Sequence, residues 1–461
     1  MRMWRTSTGA AGALPAAGAP ASAPAWSSGM AALARDEAAR AALLRVLVVG
    51  WSLAVFAAYQ PGLMTPDSIG QYWQGIHWYF GTWAPPLGSM LSGLAGKLAG
   101  SPWPLFLAQV VALPAGMAAL VRRPGHAPVA TLAVFVAFLV APPVWGIANT
   151  LYKDVWMVVP LVFAVVALRR GHPVAAAVAA VIAALLRYNA IFAVVPLLVP
   201  MTAQLARTRV GRAVAGAAVI AACLVVPPAV ARAVRAIDEW PLGSLLVYDL
   251  AGIEVERPDL FAGSVLAKDV SLEELRALYS PYTGAPLFWE PNRRTIQKDL
   301  LPARRAQLEA EWLHTLPKAW KEYLRHRVRV FEAQLALQRG PVFLPFQLDI
   351  EANPWGFDVP KAGAAWRIAE RVRHRLKDTP LFRGWLWLAL SAAGCIAAAA
   401  LRREKLAAWV AASGLAYTLA YAVIGVAADF RYVYWTVITV FITAMLLADA
   451  PATAGAPGSE E

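Results

Sequence analysis

The chain has 461 residues, of which 59% are hydrophobic and only 15% are charged. Soluble domains carry about 25% charged and 45–50% apolar residues, so the composition argues against a soluble protein and for a membrane protein. The net charge of +13 at pH 7 would suit a nucleic-acid-binding protein, but basic cytoplasmic loops explain it better, and no nucleic acid partner is predicted.

Residues 1–40 are predicted to form a disordered cytoplasmic tail. The segment is rich in Ala, Gly, Pro and Ser and offers little apolar surface to bury. The first apolar segment, 41–59, is long enough to cross a bilayer, which takes about 20 residues. Arg35, Arg40 and Arg45 flank its start and place that end in the cytoplasm. The first loop, 60–85, is therefore predicted to lie outside.

Further apolar segments bring the prediction to about ten transmembrane helices, two of them short. They divide into an N-terminal transmembrane domain, 41–234, and C-terminal transmembrane helices, 381–448. Segment 86–99 is interpreted as a short interfacial or half-membrane helix, and 449–461 as a tail. The remaining predicted spans are 102–121, 127–145, 155–168, 173–201 (read as two helices), 213–234, 382–400, 406–426 and 432–448.

The apolar segment 173–201 is interrupted by Arg187-Tyr188-Asn189. A single helix here would place an arginine near the middle of the membrane, which is costly. It would also move the basic loop around Arg209 outside, against the usual distribution of charge. Two short helices with Arg187 and Asn189 at the outer surface avoid both problems, and that arrangement is predicted.

Residues 235–380 contain no membrane-length apolar run and are predicted to form a mixed extracytoplasmic domain, inserted before the last three helices. Apolar residues recur at helical spacing in 271–279 and 304–336. The predicted fold class is thus an all-α polytopic membrane protein with this one insertion.

Asp67 is the leading candidate for catalysis. It follows Pro66 in the first outer loop. One interpretation makes it the cap of a short helix that begins at Ser68 or Ile69. The other makes it a general base at the membrane surface. Position alone does not separate the two roles, and both can coexist.

The remaining candidates are polar residues at the predicted outer ends of helices. Each has a plain structural explanation, such as a helix-end charge or an interfacial aromatic. The functional interpretations are that Lys153 binds a phosphate, with Asp154 positioning it or binding a metal, and that Arg431 is a second phosphate contact. No metal site is predicted, because HExxH, CxxC, P-loop and GxSxG patterns are absent from the sequence. The predicted substrate-binding residues are Lys153, Asp154, Arg187, Asn189, Arg431, Tyr432, His77 and Trp83.

Several motifs follow one another along the chain: Asp67 in the first outer loop, Trp83-Ala84-Pro85-Pro86-Leu87, Tyr152-Lys153-Asp154, Arg187-Tyr188-Asn189, His314-Thr315-Leu316-Pro317, Tyr323-Leu324-Arg325-His326-Arg327 and Asp429-Phe430-Arg431-Tyr432. In this order they resemble the GT-C superfamily of membrane glycosyltransferases, and they are most similar to uncharacterised bacterial members. The resemblance covers most of 45–445.

The resemblance implies a polyprenyl-phosphate-linked sugar as donor, membrane lipid as surroundings, and an active site on the outer face of a bacterial inner membrane. It implies that Asp67 is the catalytic base or a metal ligand, which leaves room for a divalent cation. Asp67 is the only acidic residue between Tyr59 and Trp83, and this favours the base.

Two functions of other classes remain open. A transporter or flippase of lipid-linked or anionic substrates would use discontinuous helices and polar groups near mid-membrane. A non-catalytic assembly protein for envelope polymers would tolerate substitution of Asp67, Lys153 and Arg431.

Overall fold

The computed structural model describes residues 36–121, 128–401 and 405–449, and within these ranges the chain is built from helices without strands. Short 3₁₀ segments occupy 266–268, 285–287, 298–300, 380–382 and 430–433. The α-helices are α1 (Glu37–Tyr59), α2 (Pro66–His77), α3 (Leu87–Ala99), α4 (Trp103–Val121), α5 (Pro128–Val140), α6 (Pro142–Ala148), α7 (Lys153–Arg169), α8 (Pro173–Leu186), α9 (Ala190–Leu205), α10 (Arg209–Ala233), α11 (Leu242–Glu256), α12 (Pro258–Phe261), α13 (Leu272–Leu278), α14 (Arg305–Lys318), α15 (Trp320–Leu335), α16 (Ala364–Leu376), α17 (Gly384–Leu401), α18 (Lys405–Ile424) and α19 (Tyr434–Ala448).

Six helices in the described ranges are long and apolar enough to cross a membrane: α1, α4, α10, α17, α18, and α19 with the 3₁₀ turn before it. Helices α5 and α6 together would make a seventh span. The protein is therefore an α-helical polytopic membrane protein. The apolar side chains Val46, Val49 and Leu53 on α1 are exposed in the isolated chain, as expected for a helix that faces lipid.

The predicted disordered tail is wrong at its C-terminal boundary. Helix α1 already begins at Glu37, because the Asp36 side chain caps it by accepting from the backbone N–H groups of Ala38 and Ala39. Residues 1–35 lie outside the described ranges. So do most of the residues predicted to form the tail at 449–461.

The span predicted at 127–145 consists of two helices that meet at an angle of 53°. Pro142 and Pro143 follow the break. Neither proline has an N–H group to continue the hydrogen bonding of α5. The interruption predicted at Arg187 is confirmed: α8 ends at Leu186 and α9 begins at Ala190.

Two central helices, α7 and α19, organise the membrane domain. Helix α7 packs against α4, α8, α9 and α19, and α19 also packs against α5, α6, α17 and α18. Most side chains of both helices are buried. Helix α7 begins at Lys153, and the 3₁₀ turn that contains Arg431 leads directly into α19. Predicted site residues therefore lie at or just before the starts of both central helices.

Residues 235–380 form a helical segment with its own apolar core around Val247, Leu250 and Leu275. The segment contains helices and irregular chain. The helical pattern at 304–336 is confirmed but divided at Ala319, two residues after Pro317. Helices α15 and α16 dock this segment onto the membrane helices α17, α18, α1 and α6.

The loop 60–85 contains helix α2, and Thr65 rather than Asp67 caps it. The Thr65 hydroxyl accepts from the N–H of Ser68, so the cap role proposed for Asp67 is wrong. Helix α2 packs closely on α3 through Gly75 and Gly93. A Cβ atom added to Gly75 would lie 2.0 Å from the carbonyl oxygen of Ser89 and 2.5 Å from the backbone N of Gly93.

The Gly75→Ala substitution is expected to force α2 away from α3, because backbone atoms cannot move aside as a side chain can. Overpacking of this kind costs about 1–3 kcal/mol. A lower thermal midpoint in detergent would show the effect. The matched control is Gly50→Ala, since a Cβ there meets nothing within 4 Å. Equal midpoints for the two variants would contradict the tight contact.

A second prediction concerns Glu254, which is buried in the helical segment near Ser264 and Glu311. Burial raises the pKa of Glu254 to about 8 from an ordinary 4.5. The folded protein then holds a proton that the unfolded chain releases above pH 4.5. The free energy of unfolding should therefore fall as pH rises from about 4.5 to about 8 and level off above that.

The thermal midpoint measured against pH checks this dependence. The Glu254→Gln variant keeps the neutral, hydrogen-bonding shape, and its advantage over the unsubstituted protein should grow with pH across that window. A constant difference between the two proteins from pH 5 to pH 8 would show that Glu254 is not protonated in the fold.

Candidate functional site

Backbone hydrogen bonds attach the Asp67 loop to the segment that precedes α7. The N–H of Leu63 donates to the carbonyl of Asn149, and the N–H of Leu151 donates to the carbonyl of Leu63, both at 2.9 Å. The Ser68 hydroxyl also donates to the carbonyl of Leu151 at 2.9 Å. These bonds bring the first turn of α2 beside the first turn of α7.

Asp67 consequently lies between two cations. Its Oδ2 is 3.4 Å from Lys153 Nζ and 3.6 Å from Arg431 Nη2. The Lys153 ammonium, and after it the Arg431 guanidinium, hold the pKa of the Asp67 carboxyl well below its ordinary value, although desolvation opposes them. The Asp67 side chain is still 35% exposed, so a ligand can reach it. As it stands, the carboxylate is ionised and only weakly basic.

Asp154 and Arg187 form a buried ion pair behind Asp67. Arg187 Nη1 donates to Asp154 Oδ2 at 2.5 Å, and Arg187 Nε donates to Asn189 Oδ1 at 2.7 Å. Arg187 Nη2 also donates to the Tyr421 hydroxyl at 3.1 Å, and the guanidinium lies 5.0 Å from the ring centre of Tyr432. Arg187 is therefore a buried, fully engaged side chain rather than an ordinary loop residue.

Arg431 connects this buried pair to Asp67. Its Nε lies 2.8 Å from Asp429 and 3.9 Å from Asp154. The guanidinium also lies over two aromatic rings, 4.7 Å from the centre of Tyr152 and 5.2 Å from that of Tyr432. The structure thus brings most of the predicted site residues into one cluster, called here the ionic cluster: Asp67, Lys153, Asp154, Arg187, Asn189, Asp429, Arg431 and Tyr432.

The ionic cluster contains firm and loose contacts. Its three carboxylates and three cations give it a formal net charge of zero. Arg187 donates a hydrogen bond to Asp154, and Arg431 forms a close ion pair with Asp429, in which Nε lies 2.8 Å from Oδ2. Both contacts of Asp67 are longer than a hydrogen bond. Lys153 has no firm carboxylate partner among the described residues, so an incoming anion can engage it without breaking a buried pair.

His77 and Trp83 lie outside the ionic cluster. His77 is exposed at the far end of α2, where its Nδ1 meets the carbonyl of Trp73. His77 is ten positions after Asp67, which corresponds to about 15 Å of helix. Trp83 lies under Lys298, whose Nζ is 3.5 Å from the ring centre of Trp83 and 4.5 Å from that of Trp289. Their predicted roles in binding substrate stay predictions.

Sequence reasoning missed four residues that complete the site. Tyr152 and Asp429 were visible as members of the quoted motifs but received no role. Tyr421 lies within the apolar run of α18 and carries no local signal. Lys298 belongs to the helical segment, and its pKa is lowered by burial while Glu239 and Asp67 act against that shift. Only the tertiary structure shows that the charge of Asp67 acts on the pKa of Lys298.

The residues of the ionic cluster do not fit a divalent cation. Among the described residues, no group of three His, Cys, Asp or Glu side chains is placed to hold a metal ion. Asp67 is flanked by Lys153 and Arg431, and their charges would oppose a cation at the same carboxylate. No chemical step is therefore assigned to a metal.

Comparisons with protein-family models, with curated proteins and with solved structures found no match to this chain. Functional inference therefore depends on the geometry of the site.

The buried pair supports a stability prediction. Asp154→Asn leaves the Arg187 guanidinium buried without its counter-charge, which should cost about 3–5 kcal/mol in the free energy of unfolding. The double variant Asp154→Asn/Arg187→Met removes the stranded charge and should recover part of that loss. Denaturant titration in detergent measures both values.

The matched control is Asp259→Asn, which breaks an exposed pair with Arg257 of 2.7 Å. Exposed pairs contribute under about 1 kcal/mol. If Asp154→Asn were no more destabilising than Asp259→Asn, the buried pair would not be holding the site together.

Proposed function

We propose that the protein is a membrane glycosyltransferase of the GT-C type. It would move a sugar from a polyprenyl-phosphate donor to an envelope glycan, lipid or protein acceptor. One observation carries the proposal: Asp67, Lys153, Arg187 and Arg431, taken from four distant parts of the chain, meet in one ionic cluster at the ends of the membrane helices. Lys153, Arg431 and the nearby Lys298 are groups that suit a phosphate.

In the proposed reaction, the donor phosphate forms an ion pair with Lys153 and also contacts Arg431, which keeps its contact with Asp429. Both cations then leave Asp67 less tightly paired, and its carboxylate becomes more basic. Asp67 accepts the proton of the acceptor hydroxyl, whose oxygen forms a bond to the anomeric carbon. The bond from that carbon to the phosphate oxygen breaks, and the lipid phosphate leaves with its negative charge stabilised by the two cations.

A groove in the membrane domain supports a lipid-linked donor. It has a volume of about 340 Å³ and is lined by aliphatic side chains of α8 and α10, among them Val178, Ile182 and Val219. Ile182 lies five residues before Arg187, which is about 7.5 Å along the helix. An isoprenoid chain in this groove would end near the ionic cluster, where its phosphate is needed.

The proposed location is a bacterial inner membrane, with the site facing the periplasm. Basic residues follow the helix ends that are proposed to face the cytoplasm, as at Arg169-Arg170 and Arg207 to Arg212. This pattern is typical of cytoplasmic loops. The proposed topology keeps about ten spans, with α7, α8 and α9 crossing as shorter helices and 235–380 outside.

The proposed test uses purified protein in detergent with a panel of polyprenyl-phosphate sugars, and it measures loss of sugar from the lipid. Asp67→Asn should lower the rate at least about 100-fold, because the base is lost while the shape is kept. Donor binding should persist in this variant. Asp259→Asn, on the exposed surface, is the control and should react as the unsubstituted protein does.

Full activity in Asp67→Asn at normal expression would remove Asp67 from the chemistry. Activity that tolerates substitution of Asp67, Lys153 and Arg431 alike would point to the third function, a non-catalytic assembly protein of envelope polymers.

A transporter or flippase of lipid-linked or anionic substrates is the second candidate. The break between α8 and α9 and the 53° bend between α5 and α6 favour it, because transporters use discontinuous helices around their binding sites. Movement of a polyprenyl-phosphate sugar across sealed vesicles without loss of its sugar would support this function over transfer.

A further inference from the structure

A cleft beside Asp67 is separate from the ionic cluster. It has a volume of about 400 Å³ and is lined on one side by Pro66, Ile69, Gly70 and Trp73 of α2. The opposite wall is the irregular chain 351–355 of the helical segment. Positions 66, 69, 70 and 73 share one face of α2, and Asp67 lies on the adjacent face of the same turn.

The tryptophans of the cleft are held in place. Trp355 meets the ring of Tyr72 edge-on at 4.7 Å and stacks on Phe357 at 5.7 Å with an interplanar angle of 17°. Trp73 stacks on His77 at 4.5 Å. Trp73 nevertheless remains 41% exposed, so part of its ring is free to contact a ligand.

The far wall is tied to the Asp67 loop by main-chain bonding. The N–H of Glu351 donates to the carbonyl of Met64 at 3.0 Å, and the Glu351 carboxylate accepts from Gln347 Nε2 at 3.3 Å. The cleft is thus bounded by the first outer loop and by the helical segment, both outside the apolar spans. It combines two aromatic rings with one exposed carboxylate.

We propose that this cleft binds the acceptor, and that the acceptor is a neutral or amino-substituted glycan segment of about one or two sugar rings. This inference rests on the proposed function. Sugar C–H groups carry partial positive charge and suit the electron-rich face of tryptophan. Sugar hydroxyl or amino groups can donate to Glu351, and the same carboxylate disfavours acidic sugars.

The placement agrees with the chemistry of the site. A sugar that contacts Trp73 and Trp355 lies along α2 and has its end at Pro66, next to Asp67. The wall of the cleft differs from the purely aliphatic groove between α8 and α10, which suits an isoprenoid chain. Donor tail and acceptor glycan would then occupy separate places on two sides of the ionic cluster.

The experiment is a binding measurement that does not need transfer. Full-length protein in phosphatidylcholine nanodiscs is titrated with neutral, amino and uronic oligosaccharides, and saturation-transfer NMR reports bound sugar. Nanodiscs are used because maltoside detergents present sugars of their own. We expect saturable binding of neutral or amino oligosaccharides and weak binding of the uronic ones.

The Trp73→Ala variant should weaken this binding about tenfold, an effect of the size expected for one lost aromatic contact. The matched control is Trp320→Ala, since Trp320 on α15 is similarly exposed, at 54%, and lies outside the cleft. Glu351→Lys, which keeps both tryptophans, should shift the preference toward uronic oligosaccharides.

Two results would overturn the subsite: absence of saturable binding by every oligosaccharide, or binding unchanged in both Trp73→Ala and Glu351→Lys. Oligosaccharide binding that depends on Trp73, in a protein that transfers no sugar from any donor, would uphold the subsite and refute the proposed transferase.

Discussion

The buried pair of Asp154 and Arg187 is the interaction on which the site depends. Neither charge is tolerable alone in an apolar interior, because desolvation costs several kcal/mol for each ion. Their contact requires α8 to end at Leu186, so that Arg187 can turn toward the first turn of α7. The Tyr421 hydroxyl of α18 accepts a hydrogen bond from Arg187 Nη2. The pair is thereby linked to a helix more than two hundred residues farther along the chain. The break in the apolar run therefore places Arg187 where it can pair with Asp154.

Around this rigid pair, the cluster becomes progressively looser toward solvent. Arg431 forms a close ion pair with Asp429, at 2.8 Å, and lies farther from Asp67, at 3.6 Å. Lys153 has Asp67 as its nearest carboxylate, at a distance longer than a hydrogen bond. Such a gradient suits the binding of an anion, because a ligand can exchange with the loose contacts while the firm pairs keep the cations in place. Preorganised charge of this kind is a main source of catalysis in enzymes.

The helical segment between residues 235 and 380 contributes to the site directly. Lys298 lies over the rings of Trp83 and Trp289. The charge of Asp67 also acts on the pKa of Lys298. Glu351 bonds to the loop just before α2. The segment is anchored to the membrane helices by α15 and α16. One wall of the site is therefore supplied by the membrane domain, and the other by this segment.

The sequence by itself determined the membrane class, the approximate positions of the helices and the break at Arg187, because these follow from local runs of apolar residues and from the energy of a charge in lipid. It also marked Asp67, Lys153, Arg187 and Arg431 as chemically unusual. It misjudged the Asp67 cap, since Thr65 and Asp67 are both ordinary capping residues and only the local backbone selects between them.

The tertiary structure alone decided which polar residues meet. The pairing of Lys153 with Asp67 and of Arg187 with Asp154 depends on how α2, α7 and α8 pack, and separation along the chain says nothing about it. The contributions of Tyr421, Lys298 and Glu351 were invisible for the same reason. Charge and periodicity are local properties of a chain, whereas a binding site is a property of the contacts among distant segments.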